Sequence, residues 1–121
     1  MTLTLVIVDD HPAFRSFARA LLEADGFRVV GEAGDAASAF AACDRLQPDV
    51  VLLDVVLPDE DGFAVCSRLS AAGGSCPSVV LTSSRPATSY GRSLTASAAL
   101  GFVAKDELSG AALRSLLGAG T

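Results

Sequence analysis

The feature that most constrains the fold is an alternation between short β-branched runs and longer segments whose apolar residues have helical spacing. The two kinds of segment repeat about every 20 to 25 residues along the chain. The β-branched runs predict strands at residues 3–8, 28–31, 50–53, 79–81 and 102–104. The segments between them predict helices: the first carries the stripe Phe14, Phe17 and Leu21, and the others cover 36–46, 63–71, 89–98 and 109–117.

Strands that alternate with helices predict an α/β fold, here a single domain over residues 1–121. The alternation implies right-handed βαβ crossovers and a parallel sheet with helices on both faces. Runs 3–8 and 50–53 contain almost no polar residues, which is typical of central strands buried on both faces. Charged residues at or just after runs 28–31 and 102–104 favour the sheet edges for those two strands. The prediction is therefore a doubly wound five-stranded parallel sheet in the flavodoxin-like order 2-1-3-4-5.

Composition limits the classes of function. The formal net charge is −5, so this domain lacks the basic surface that direct binding to nucleic acid requires. The first apolar run is too short for a signal peptide or a membrane span, and we expect a soluble, cytoplasmic protein without membrane contact. Three cysteines, Cys43, Cys66 and Cys76, are widely spaced and predict free thiols in a reducing compartment.

Polar and charged residues follow the predicted strands at the points where they end. Ligands of open parallel sheets bind beyond these carboxyl ends, near the switch in strand order. The residues delivered there are Asp9 and Asp10 by the first strand, Asp54 by the third, Thr82 and Ser83 by the fourth, and Lys105 by the fifth. Because the first and third strands are neighbours in the predicted order, three carboxylates converge.

Three converging carboxylates repel one another unless they hold protons or a cation offsets their charge. Mg²⁺ suits such a group, since it takes oxygen ligands and is commonly held by one or two carboxylates together with phosphate oxygens. Lys105 offers further positive charge. A site of this composition favours a phosphoryl group, and a carboxylate can act as the nucleophile that accepts it. Asp54, which has strand neighbours on both sides, is the natural acceptor.

Four motifs in this order and spacing resemble landmarks of the response-regulator receiver domain of bacterial two-component signalling, which is CheY-like. The motifs are "VIVDDHP", "DVVLLDVVLPDEDG", "PSVVLTSS" and "GFVAKDEL", and the resemblance covers essentially the whole chain. The "DDHP" start and the "KDEL" after the last strand are most similar to the NarL/LuxR-type subgroup, whose members usually carry a C-terminal helix-turn-helix.

The resemblance implies a role for each acidic residue. Asp54 would be the phosphoacceptor. Asp10 would bind Mg²⁺ directly, Asp9 would help to hold it through water, and the backbone carbonyl of Val56 would be the third protein ligand. A sensor histidine kinase would be the phosphoryl donor.

The resemblance also implies a switch. Thr82 would hydrogen-bond a phosphoryl oxygen and Lys105 would pair with another. Phe102 would be the aromatic switch residue that turns into the space Thr82 leaves, which alters the face formed by the fourth helix, fifth strand and fifth helix. The partners that bind that face would be a C-terminal DNA-binding output domain, if this chain is a fragment, and a second copy of the chain in a phosphorylation-dependent homodimer. The output would be control of transcription.

Two positions depart from the family's usual pattern. Asp106 follows the lysine where many members have a proline preceded by a cis peptide bond, which is costly without proline. The residues two beyond Asp54 and Thr82 are Val56 and Ser84, and in the family these positions tune how water reaches the acyl phosphate. Since valine cannot hydrogen-bond a water, the resemblance predicts slow self-dephosphorylation.

Simpler interpretations stand beside these. His11 can lead into the first helix, with Pro12 in its first turn, rather than act as a base. Phe102 can be a core aromatic. The turn "PDEDG" can be a solvated loop with Asp61 as the helix N-cap.

Two other functions compete with the signalling module, which would not be an enzyme beyond its own phosphorylation and slow dephosphorylation. One is a degenerate receiver that acts as an interaction scaffold, although its diagnostic losses are not seen in this sequence. The other is an aspartyl phosphatase, which typically needs a carboxylate two residues after the nucleophile. That position is Val56 here.

Overall fold

The computed structural model describes residues 2–71 and 76–118. The strands are β1 (Thr4–Val8), β2 (Arg28–Ala33), β3 (Val50–Asp54), β4 (Ser78–Ser83) and β5 (Gly101–Ala104). The helices are α1 (Pro12–Ala24), α2 (Ala36–Leu46), α3 (Gly62–Ala71), α4 (Arg92–Thr95) and α5 (Gly110–Gly118). Two 3₁₀ turns, Ala87–Ser89 and Lys105–Glu107, precede α4 and α5.

The sheet is parallel throughout, with strand order β2-β1-β3-β4-β5, so the predicted fold class and order are confirmed. Val8 pairs with Leu53, and Asp54 pairs with Thr82. This register brings the ends of β1, β3 and β4 to one level. The residues that follow those strands therefore meet at one edge of the sheet.

Both faces of the sheet are covered. Alternate residues of a strand point to opposite sides, so Leu5 and Ile7 pack towards α1 and α5 while Val6 and Val8 pack towards α2 and α3. In α1 the buried residues are Ala18 and Leu22, whereas Phe17 of the predicted stripe is 56% exposed. The helix is thus rotated slightly from the orientation that the stripe Phe14, Phe17 and Leu21 suggested.

The predicted strands and the helices predicted at 36–46, 63–71 and 109–117 are found within one or two residues of their predicted bounds, and α1 contains the predicted stripe. The helix predicted at 89–98 is wrong for most of its length. Only Arg92–Thr95 is α-helical there. Gly91 has φ +49° and ψ −121°, a conformation outside the helical region that glycine tolerates and that breaks a helix starting earlier. The hydroxyls of Thr95 and Ser97 donate to the carbonyls of Arg92 and Leu94, and this competition with the backbone ends the helix.

The other predictions from composition concern membranes and cysteines. Within the described residues the helices lack the length and apolar character of a membrane span. Cys43 and Cys66 are buried free thiols, as predicted. Burial raises the pKa of the Cys43 thiol to about 11.

Candidate functional site

The carboxyl ends of the strands open into a cavity of about 480 Å³. Its lining comprises Asp10, His11, Asp54, Val56, Ser83, Ser84, Arg85, Tyr90 and Lys105. Of the residues predicted for the site, Asp9, Asp10, Asp54 and Lys105 are brought together, with Val56 at the rim. The geometry follows from the register of β1 and β3, since each strand is followed or ended by an aspartate at the same level.

Lys105 links two of these carboxylates. Its Nζ lies 3.1 Å from Asp54 Oδ2, to which it donates a hydrogen bond, and 2.6 Å from Asp9 Oδ2. The same ammonium lies 4.5 Å from the centre of the Phe14 ring, on α1. With its side chain only 16% exposed, Lys105 is held between two anions and an aromatic face.

The loop after β3 holds Asp54 in place. The backbone N–H of Val56 donates to Asp54 Oδ1 at 3.0 Å, and the N–H of Gly62 donates to the Val55 carbonyl at 2.7 Å. A Cβ atom on Gly62 would lie 2.3 Å from the carbonyl oxygen of Asp54, so only glycine allows this close return of the chain. Asp61 caps α3 as predicted, since its Oδ1 accepts the N–H of Ala64 at 2.9 Å.

The loop after β1 is held by contacts that the sequence pattern did not reveal. Arg15 Nη1 donates to the carbonyl oxygen of Asp9 at 2.6 Å, and Arg15 Nε lies 3.2 Å from Glu32 Oε1 on β2. Asp9 Oδ1 accepts the backbone N–H of His11 at 2.8 Å. His11 precedes α1 as its N-cap residue, with Pro12 in the first turn as predicted. These contacts fix the backbone that presents Asp9.

The electrostatics of the buried carboxylates differ. Burial raises the pKa of Asp54, and the Val56 N–H and the Lys105 ammonium only partly oppose this shift. Burial acts in the same sense on Asp9, but Lys105 and the His11 N–H outweigh it and lower the Asp9 pKa. The Lys105 pKa is raised because the two carboxylates outweigh its own burial. Lys105 therefore lies between one carboxylate whose pKa is lowered and one whose pKa is raised.

The acidic group fits a divalent cation that prefers oxygen ligands. One potential ligand atom from each of Asp9, Asp10, His11 and Asp54 lies within 4.8 Å of the others. Asp9 Oδ2 is fully buried and, although Lys105 lies close, accepts no hydrogen bond of good geometry from the described residues. A buried carboxylate oxygen with free lone pairs in an oxygen-rich group is the donor chemistry that Mg²⁺ requires.

The two predicted switch residues lie beside this group. The Thr82 hydroxyl is buried and donates to the Val103 carbonyl on β5 at 2.6 Å, so it is directed towards β5. Phe102 is half-buried on β5, and its ring centre lies 6.1 Å from that of Tyr90. Tyr90 Oη in turn lies 2.5 Å from Ser83 Oγ. Tyr90 was missed in the sequence because it stood inside the predicted fourth helix.

Other acidic residues have structural contacts. Asp59 in the loop after β3 accepts the N–H groups of Ala36 and Ala37 at 2.8 and 3.2 Å, which lowers its pKa and ties this loop to the start of α2. The solvated-loop interpretation is thus incomplete for Asp59. Lys105 and Asp106 are joined by a trans peptide bond, since the described residues contain no cis bond.

Comparison with known proteins identifies the class that this fold and site define. Residues 5–116 match the response regulator receiver domain family, and the chain belongs to that family. It is a receiver domain of a two-component system, and its acidic cluster fits Mg²⁺ binding.

Among its relatives is the nitrate/nitrite response regulator protein NarP of Escherichia coli (strain K12), 41% identical over 103 residues. That match covers 84% of this chain and 47% of NarP. The protein-glutamate methylesterase/protein-glutamine glutaminase 6 of Anaeromyxobacter dehalogenans is 40% identical over 112 residues, covering 92% of this chain and 31% of the relative. A LuxR-family two-component response regulator from Aurantimonas sp. SI85-9A1 superposes with a TM-score of 0.84 at 28% identity, covering 98% of this chain and 87% of that structure. The chain spans about half the length of the transcription-regulator relatives it matches.

Proposed function

We propose that Asp54 accepts a phosphoryl group from a sensor histidine kinase. The observation that carries the proposal is the position of Lys105 Nζ, 3.1 Å from Asp54 and 2.6 Å from Asp9 at the floor of an open cavity. A lysine in this place can offset charge on a transferred phosphoryl group, and an aspartate beside it can act as nucleophile. Mg²⁺ would be held by Asp9, Asp10, Asp54 and the Val56 carbonyl.

The transfer step is a displacement at phosphorus. The P–N bond of a phosphohistidine breaks, its electron pair stays on the imidazole, and a carboxylate oxygen of Asp54 forms the new P–O bond. Lys105 stays protonated through the step because its raised pKa lies above neutral pH. The Val56 N–H holds the carboxylate in one orientation. Bound Mg²⁺ would supply further positive charge for the phosphoryl oxygens.

The resulting signal would be read on the face formed by α4, β5 and α5. Thr82 is adjacent to Asp54 across β3 and β4, so its hydroxyl can exchange the Val103 carbonyl for a phosphoryl oxygen. Phe102 would then turn inwards. By analogy with its transcription-regulator relatives, we expect the output to be transcriptional control in the cytoplasm, through an attached DNA-binding domain or a phosphorylation-dependent homodimer.

The scaffold and phosphatase alternatives make different predictions. A scaffold needs no reactive site, whereas the described site retains the carboxylates, Thr82 and Lys105. A phosphatase needs a general acid near the nucleophile, but the residue at the rim is Val56, which is 62% exposed and apolar. Relatives of this family include enzymes such as the methylesterase, but this domain is the receiver part of the match.

Acetyl phosphate with Mg²⁺ distinguishes the three functions. The proposal expects a mass gain of one phosphoryl group per chain, dependent on Mg²⁺ and abolished in Asp54→Asn. Continuous release of phosphate over many turnovers would indicate the phosphatase instead. No mass gain would overturn the proposal in favour of the scaffold.

Asp61→Asn is the matched control. It removes a carboxylate from the same loop, but asparagine is an equally good N-cap for α3. We expect Asp61→Asn to gain one phosphoryl group as the wild type does. Equal loss of labelling in Asp61→Asn and Asp54→Asn would contradict the assignment of Asp54.

A further inference from the structure

Tyr90 is among the residues that line the cavity over Asp54. Its hydroxyl lies 2.5 Å from Ser83 Oγ, and both residues line that cavity. Ser83 is buried and directly follows Thr82 on β4. Ser83 Oγ also accepts the backbone N–H of Arg85 at 3.1 Å. The two hydroxyls thus form a hydrogen-bonded pair at the wall of the site.

The ring of Tyr90 contacts a different part of the molecule. Its centre lies 5.7 Å from that of Phe63 on α3, edge to face, and 6.1 Å from that of Phe102 on β5. Phe102 cannot turn without displacing the Tyr90 ring or losing this contact. The Tyr90 side chain therefore contacts both Ser83 at the cavity wall and Phe102 on β5.

Tyr90 lies in the segment 84–100, and few other side chains of this segment pack against the core. No residue from 84 to 100 is buried, and the 3₁₀ turn Ala87–Ser89 and α4 contain no buried side chain. Tyr90 and Leu94 are the larger side chains by which this segment packs on the core. A change in the position of Tyr90 would therefore be passed to α4.

We propose that Tyr90 is a positioning residue that couples occupancy of the cavity to Phe102 and α4 through the Ser83 hydroxyl. The inference rests on the proposed phosphoacceptor function. Either hydroxyl can donate in the Ser83–Tyr90 pair. Whichever does, a Ser83 side chain that rotates to donate to a phosphoryl oxygen in the cavity moves its Oγ away from Tyr90 Oη. The anionic oxygen is the stronger acceptor. When the Ser83 hydroxyl turns to the phosphoryl oxygen, the Tyr90 hydroxyl loses its hydrogen bond to Ser83. The Tyr90 ring then moves together with Phe102.

Binding of beryllofluoride, a phosphoryl analogue, tests the coupling in the full chain with Mg²⁺. The Ser83–Tyr90 bond is made in the observed conformation and must be given up on binding. Tyr90→Phe keeps the ring but removes this bond, so we expect it to bind beryllofluoride about 2- to 10-fold more tightly than the wild type. In a Ser83→Ala background, Tyr90→Phe should have no further effect, because the partner hydroxyl is already absent.

Aromatic NMR of Phe102 supplies a readout that a merely structural role would not move. In Tyr90→Phe without analogue, the Phe102 ring resonances should lie part of the way towards their analogue-bound positions. Ser97→Ala is the control, since it removes a hydroxyl bond to Leu94 from the same segment without touching Tyr90. Its affinity and Phe102 resonances should match the wild type, and thermal unfolding verifies that each variant is folded.

The outcomes separate this inference from the function on which it rests. A wild type that neither binds beryllofluoride nor gains a phosphoryl group overturns both. A wild type that binds it, with Tyr90→Phe unchanged in affinity and in Phe102 resonances, overturns the coupling alone. Additive effects of Tyr90→Phe and Ser83→Ala would also overturn it, because the two hydroxyls would then act separately.

Discussion

Lys105 Nζ lies 2.6 Å from Asp9 Oδ2, and the Asp9 side chain is completely buried. The ammonium is the positive charge that the described structure places against this buried anion. The same ammonium lies 3.1 Å from Asp54 Oδ2. We therefore expect both the stability of the fold and the proposed phosphoryl transfer to depend on the same lysine.

We expect Lys105→Met to lower the free energy of unfolding at pH 7 by about 2 kcal/mol in the absence of metal, because two buried carboxylates lose their counter-charge. The Lys105 pKa is raised above 10.5 in the folded state, so its contribution is complete below pH 10.5 and is lost as the pH rises through the folded-state pKa. Urea unfolding with EDTA between pH 7 and 11.5 measures both effects. The wild type should lose stability above pH 10.5 more steeply than Lys105→Met. Arg92→Met, which removes an exposed cation on α4, should follow the wild-type curve, and parallel curves for all three would contradict the assigned pair.

Gly62→Ala should destabilise the fold by about 2–4 kcal/mol, because the new methyl group would meet backbone atoms of Asp54 and Val55 at less than 3 Å. Asp54 is the last residue of β3 and Val55 follows it, so the end of the strand must shift for the variant to fold. Chemical denaturation measures the loss. Gly118→Ala, where a Cβ atom meets nothing within 4 Å, is the control and should be close to neutral. Similar stabilities of the two variants would show that the close approach at Gly62 is relieved easily.

Much of the fold could be predicted because the decisive signals are local. Apolar runs that end in Asp9 and Asp54 define both the central strands and the edge of the sheet where their carboxylates meet. Strand alternation with helices then leaves few topologies. Lys105 could be placed in the site for the same reason, since it follows the last strand.

The features that the sequence did not predict depend on contacts between distant residues or on weak local preferences. Residues 84–100 are rich in serine, threonine and small residues, so side-chain hydroxyls and Gly91 determine the backbone there and periodicity misleads. The bonds of Arg15 to the Asp9 carbonyl and of Tyr90 to Ser83 join separate elements. A pattern of residue types cannot reveal which hydroxyl or guanidinium will meet which acceptor.

Asp59 joins the loop after β3 to the start of α2 through hydrogen bonds, so its replacement should change how the stability of the fold depends on acidic pH. Its folded-state pKa is below 3.8, so its contribution is present above pH 3.8 and is lost as the pH falls through that lower pKa. Asp59→Asn should lower the melting temperature at pH 7 by about 3 °C, and the difference should shrink towards pH 2. Asp44→Asn, on the exposed side of α2, should melt with the wild type. A difference for Asp59→Asn that does not change with pH would rule out the charge as its source.

We expect Val56 to influence how water approaches the proposed acyl phosphate. Its side chain lies at the rim of the cavity and is 62% exposed, but it cannot orient a water by hydrogen bonding. In Val56→Asn an amide can do so, and one such hydrogen bond made in the transition state should shorten the phosphoryl lifetime about fivefold. Val56→Ala is the control: it opens the same space without a polar group and should change the lifetime less than twofold. The lifetimes follow from acid-quenched samples taken after removal of acetyl phosphate and resolved by phosphate-affinity electrophoresis. Equal lifetimes in the wild type and Val56→Asn would mean that the residue at this position does not limit attack by water, and equal shortening in both variants would mean that access alone controls it.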